Sequence, residues 1–114
     1  MYRAVLEAQE AAKNAIRPGV EAEKVDRAAR QVLRKRGFAR YFTHSTGHGL
    51  GLEVHEMPRL GHGDRSRLEE GMVVTVEPGV YLEGIGGIRI EDDVVVTASG
   101  AQDLTTASRE FLEI

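Results

Sequence analysis

The chain has 114 residues, 41% hydrophobic and 29% charged, with a formal net charge of −3 and no cysteine. One globular domain fits that length and balance, and disorder does not. The charge excludes an electrostatic case for nucleic acid or an anionic membrane, and the absent thiols exclude disulfides and cysteine-held zinc, leaving His and carboxylates as metal donors.

The predicted elements begin with two helices. Val5, Ala8, Ala12, Ala15 and Ile16 recur at helical spacing, and Pro18-Gly19 ends that helix. A second helix starts near Glu21, with Ala22, Val25, Ala28 or Ala29, Val32 and Leu33 as its apolar stripe. Glu21 and Glu23 sit in its first turn and Arg34-Lys35-Arg36 in its last, as the helix dipole favours. The basic run therefore reads as a helix end.

Beyond Gly37 the pattern changes to short β-rich runs, Met72 to Val76, Val80 to Leu82 and Ile88 to Thr97. Turn residues separate them at Glu70-Gly71, Gly84-Ile85-Gly86-Gly87 and Ser99-Gly100. The predicted class is α+β, two helices packed on one face of an antiparallel sheet. No apolar run spans a bilayer, and no signal-peptide core follows Met1, so a cytoplasmic protein is the default expectation.

Three clusters carry polar residues that a plain scaffold does not need. His44-Ser45-Thr46-Gly47-His48-Gly49-Leu50-Gly51 leads on to His55, placing three imidazoles close together with glycines around the middle one. Glycines permit close backbone approach, and neutral imidazole is a common metal ligand. In Thr75-Val76-Glu77-Pro78-Gly79-Val80-Tyr81, the proline holds Glu77 extended and fixes where its carboxylate points. In Ile88-Arg89-Ile90-Glu91-Asp92-Asp93-Val94, alternation sends Arg89, Glu91 and Asp93 one way and Ile88, Ile90 and Val94 the other. Three acids in an apolar strand need a positive partner, which a metal ion or a salt bridge can supply.

Other motifs are excluded. His55-Glu56-Met57-Pro58-Arg59 opens like a helical zinc-protease motif, but Arg59 replaces the second His and Pro58 breaks a helix. The Gly84–Gly87 stretch joins two strands and is too short for a dinucleotide loop. No Ser nucleophile has an elbow around it. His62, between two glycines, reads as a surface-loop residue.

The three clusters in this order resemble the pita-bread metallopeptidases, the family of methionine aminopeptidase, Xaa-Pro aminopeptidase, Xaa-Pro dipeptidase and creatinase. Glu77-Pro78-Gly79-Val80-Tyr81 and Gly87-Ile88-Arg89-Ile90-Glu91-Asp92 are most similar to the proline-peptidase branch. The resemblance implies that residues 1–114 form the C-terminal half of a catalytic domain. It implies His48, Glu77 and Glu91 as metal ligands, Glu91 bridging two ions and Glu77 also acting as general base. His44 and His55 would bind substrate and assist catalysis, and Arg89 and Tyr81 would orient the carboxylates. The implied cofactors are two divalent ions, Mn or Co before Fe or Zn, and the implied substrate is a peptide with proline at its second position.

The family site has five protein ligands, and two of them are aspartates on a hairpin preceding the first helix. The expectation is therefore an isolated chain with three ligands, little bound metal and little activity, self-associating as a homo-oligomer. An alternative is a non-catalytic peptide- or protein-binding module on the same fold, and another is a subunit completed by a second chain's aspartates. Neither nucleic acid nor a membrane is expected as a partner.

Overall fold

The first helix, α1 (Tyr2–Ala15), owes its packing to small side chains. Ala4, Val5, Ala8, Gln9 and Ala12 line its buried face, so a neighbouring helix approaches closely. That neighbour is α2 (Ala22–Lys35), which buries Ala22, Val25, Asp26, Ala29 and Leu33. Of the two alternatives for its stripe, Ala29 is the buried one. Arg34 and Lys35 lie in its last turn, and Arg36 pairs with Glu7 of α1. The basic run thus ends a helix, as its position predicts. The structure, a computed structural model, describes residues 1–114.

A short 3-10 turn at Ala39–Tyr41 leads into seven strands: β1 (Gly47–Gly49), β2 (Glu56–Leu60), β3 (Val73–Val76), β4 (Gly79–Leu82), β5 (Gly86–Arg89), β6 (Asp92–Thr97) and β7 (Gly100–Asp103). Five of them form one sheet in the order β2-β1-β3-β6-β7, and β4 and β5 form a separate hairpin. Every pairing is antiparallel. The helices cover this sheet, and Val74, Val76, Val94 and Val96 meet the helix residues in one core. Fold class and helix count are as predicted.

Three strands escape the sequence reading. β1 and β7 carry glycine, and β2 carries Pro58 with charged neighbours, all poor local signals for a strand. Proline is tolerated in β2 because that strand lies at the sheet edge. The run Ile88 to Thr97, expected as one strand, is two. β5 pairs with β4, β6 pairs with β3, and Ile90-Glu91 bridges the sheets. The break lets Glu91 leave the ladder beside Glu77, which also follows a strand end.

Asp92, the buried acid of this segment, meets positive partners, as burial demands. Asp92 is 2% exposed. Its carboxylate receives Lys13 Nζ at 2.8 Å, Arg109 Nη1 at 3.1 Å and Thr105 Oγ1 at 2.6 Å. Lys13 and Arg109 also hold Asp103, which ties β7 and the C-terminal segment to α1.

Asp64 braces the loop after β2. Its carboxylate accepts the N–H of Arg59 at 2.8 Å and of Ser66 at 2.9 Å, and its carbonyl accepts Glu23 N–H in the first turn of α2. Burial raises its pKa, but the Ser66 and Arg59 hydrogen bonds outweigh burial and hold it below the ordinary value. A carboxylate with a depressed folded-state pKa stabilises the fold above its unfolded value of about 3.9 and loses that contribution as the pH falls through the folded value. The urea midpoint of the wild-type protein is therefore expected to fall further between about pH 6 and about pH 3 than that of Asp64→Asn. Equal falls in the two proteins would remove Asp64 from the acid response.

Candidate metal and substrate site

The site is built where β1 is squeezed between β2 and β3. A β-carbon on Gly47 would overlap the Thr75 carbonyl, and one on Gly49 would overlap the Met57 carbonyl. The glycines flanking His48 therefore admit neighbouring main chain, where the motif suggested approach of a ligand. His48 N–H donates to Thr75 Oγ1 at 3.1 Å, and Glu77 N–H donates to Thr46 O at 2.6 Å. This lacing brings His48 Nε2 to 3.4 Å from Glu77 Oε2. The other ring nitrogen, Nδ1, lies 2.9 Å from Gly49 O. A carbonyl only accepts, so Nδ1 carries a proton, and in the neutral imidazole Nε2 is the nitrogen left with a lone pair for a ligand.

Glu91 completes the trio from the bridge between the sheets. Its carboxyl is pushed above the ordinary range first by burial and then by the Glu77 carboxylate beside it. Arg89 opposes that shift, with Nε 3.4 Å from Glu91 Oε2. Arg89 itself is held above its ordinary value by the Tyr81 hydroxyl, against burial, with help from Glu91 and Glu77.

Tyr81 extends the network to the first His. Its hydroxyl lies 2.8 Å from His44 Nε2, while His44 Nδ1–H donates to Ser45 O at 2.8 Å. Tyr81 pairs in register with Gly87 across the β4–β5 hairpin. A β-carbon on Gly87 would press into its ring, so glycine there makes the seat for the ring. The structure thus places Tyr81 against His44 and Arg89, and through Arg89 against the carboxylates.

His44, His48, His55, Glu77 and Arg89 line one open pocket of about 580 Å³. The His55 ring centroid is 4.3 Å from that of His48. Glu91 lies outside the lining, beside Glu77 and Arg89. His62 is exposed in its loop, as its glycine neighbours imply.

Two contributors were missed from the sequence. Arg59 lines the same pocket and sits directly opposite His48 in the β1–β2 register. Its guanidinium donates to Ser45 Oγ at 3.2 Å and to His62 O at 2.9 Å. Its only signal was its place in the excluded zinc-protease string. The second is the Asp26–Arg30 pair of α2, Nε to Oδ2 2.6 Å. Arg30 also donates to Phe42 O and His44 O, and Asp26 accepts from Thr46 N and Oγ1. The pair thereby fixes residues 42–46, which carry His44 and lead into His48. Its signal was an acid at the edge of the apolar stripe with an Arg four residues on.

The donor set suits a divalent cation. It offers an imidazole nitrogen with its lone pair free and two carboxylates pressed together, whose repulsion a cation relieves. The contacts are pairwise, and no group of three His, Asp or Glu side chains is gathered to hold an ion as it stands.

Comparison with known proteins agrees with this chemistry. The sequence profile of metallopeptidase family M24 matches residues 1–98. The chain is 49% identical over 112 residues to the Xaa-Pro dipeptidase of Pyrococcus furiosus, covering 98% of this chain and 32% of that protein. It superposes on the solved Xaa-Pro dipeptidase from Bacillus anthracis with a TM-score of 0.95 at 47% identity, covering 97% of this chain and 31% of that one. For the X-Pro aminopeptidase from Thermotoga maritima the values are 0.92, 49%, 96% and 31%. The chain spans about a third of the length of the curated relatives it matches.

The crowding around β1 has a direct consequence. Gly47→Ala puts a methyl group against main chain that cannot rotate away, so it is expected to destabilise the fold by at least about 3 kcal/mol. Urea unfolding measures this, and a loss below about 1 kcal/mol would show that β1 has room to shift.

Proposed function

We propose that this chain, which belongs to metallopeptidase family M24, supplies the imidazole and glutamate half of a metal site that hydrolyses Xaa-Pro peptide bonds. The observation carrying the reading is the lacing of β1 to β3, which sets His48 Nε2 against Glu77 with Glu91 beside it. His48, Glu77 and Glu91 are the residues that would hold the metal, with the remaining donors coming from outside this set. Two bound divalent ions supply activation of a water and polarisation of the scissile carbonyl. Mn(II) or Co(II) suits one imidazole among oxygen donors.

The chain's own residues have defined tasks in this reading. Glu77, held at a strand end by its N–H bond to Thr46 O, takes the proton from the attacking water. His44, oriented through Ser45 O and Tyr81, and His55, its ring tilted against that of His48, face the substrate carbonyl. Arg89 keeps Glu91 and Glu77 from repelling each other apart. Arg59 places a cation at the pocket, where it matches the terminal carboxylate of a dipeptide. That favours a dipeptidase over an enzyme acting on long peptides.

The relatives' activity and the three-donor geometry together suggest that the chain alone turns over slowly. The test is a hybrid in which this chain replaces the matching segment of the Pyrococcus furiosus Xaa-Pro dipeptidase. We expect cleavage of an Xaa-Pro dipeptide with Mn(II) or Co(II), and a fall in kcat of about 10³-fold or more for Glu77→Gln. A folded, metal-loaded hybrid without Xaa-Pro cleavage would sink the reading and favour a binding module.

In the same hybrid, Arg59→Ala is expected to raise KM for the dipeptide by about tenfold and to leave a C-terminally amidated dipeptide unaffected. An equal effect on both substrates would assign Arg59 to the loop it braces through Ser45 and His62.

A further inference from the structure

Gln9 is the anomaly of the helix–sheet interface. It lies in the apolar stripe of α1 between Val5 and Ala12 and is 0% exposed. A buried primary amide is costly unless its bonds are made, and leucine or methionine would fill the same volume. Here the bonds are made. Nε2 lies 3.3 Å from Val76 O, 3.3 Å from Ile90 O and 2.9 Å from Asp92 Oδ2. Oε1 accepts from Arg109 Nη1 at 3.3 Å. Two amide protons serve three acceptors, so the bonds are shared. A flipped amide would face three oxygens with a fourth, so the orientation is unambiguous.

The identity of the acceptors gives the bonds their meaning. Val76 and Ile90 immediately precede Glu77 and Glu91. The β3–β6 ladder ends at the Val76↔Asp92 pair, so both glutamates leave the sheet there. Between that pair and the β4–β5 hairpin, which starts at Gly79↔Arg89, the backbone bond joining the two segments is Ile90 N–H to Pro78 O, at 3.3 Å. Gln9 clamps the peptide groups Val76–Glu77 and Ile90–Glu91 from behind. Arg109 bonds both Asp92 and the Gln9 carbonyl, so the clamp is anchored in turn through Arg109.

We propose that Gln9 is a positioning residue whose buried side-chain amide sets the separation of the Glu77 and Glu91 carboxylates through the carbonyls that precede them. The proposal rests on the reading of those glutamates as metal ligands, and its test separates the two. The 114-residue chain is compared with Gln9→Met, which keeps volume and deletes the donors, and with Lys13→Met, which cuts the Asp92 ion pair and leaves both carbonyls bonded. In metal-free NMR spectra Gln9→Met is expected to shift the backbone ¹⁵N resonances of Glu77 and Glu91 and broaden their side-chain signals, with Lys13→Met moving neither. Should Gln9→Met fail to fold, Gln9→Asn keeps an amide too short for both carbonyls, and the same shifts are expected. Unmoved glutamates in a folded Gln9 variant, or equal shifts in Lys13→Met, would overturn the proposal. Co(II) titration of the hybrid dipeptidase, with each substitution carried in its grafted segment, adds the second arm. Binding is expected to weaken about tenfold in Gln9→Met and to stay unchanged in Lys13→Met. A folded hybrid that binds no Co(II) would overturn the metal reading, while the metal-free shifts still decide the role of Gln9.

Discussion

The contact between β1 and β3 is the constraint on which the site depends. Gly47 admits the Thr75 carbonyl at a distance no β-carbon tolerates, and two further bonds, His48 N–H to Thr75 Oγ1 and Glu77 N–H to Thr46 O, close the seam. With the main chains this close, His48 and Glu77 need no long side chains to meet. Their geometry is set by backbone, which is stiffer than any rotamer and well suited to hold a reactive pair.

The helices stabilise the seam from behind through polar groups placed in apolar faces. Asp26 and Arg30 of α2 bond the main chain of residues 42–46 on the His side. Gln9 of α1 bonds the carbonyls on the glutamate side. Alanine fills most of the rest of the α1 and α2 interface, so the helices sit close enough for short side chains to reach backbone. No buried side-chain polar atom is left without a partner, which offsets the desolvation these groups bring.

Electrostatics then pushes the site toward cations. Glu91 is raised by burial and by Glu77, and Arg89 offsets only part of that repulsion from a half-exposed position. A positive charge at the Glu77–Glu91 contact would lower the energy of the pair, and His48 presents a free lone pair to the same place. Arg89 pairs with Glu91, while Arg59 reaches Ser45 and His62.

Local chemistry was legible in the amino-acid sequence. Helical periodicity, the Pro18-Gly19 stop and the charged helix ends located α1 and α2 because each signal acts within a few residues. The order His48, Glu77, Glu91 was readable for the same reason, since each motif carries its own backbone restriction: flanking glycines, a following proline, an alternating strand. Tertiary structure alone decided what those restrictions were for. Only packing shows that the glycines beside His48 admit Thr75 and Met57, that the last long strand divides at Ile90-Glu91, and that Arg59 faces His48. Gln9 and Asp26 read locally as flaws in apolar stripes; their acceptors lie far along the chain. Such pairings arise when non-local main chain is brought against the helix, and no short window of sequence contains both partners.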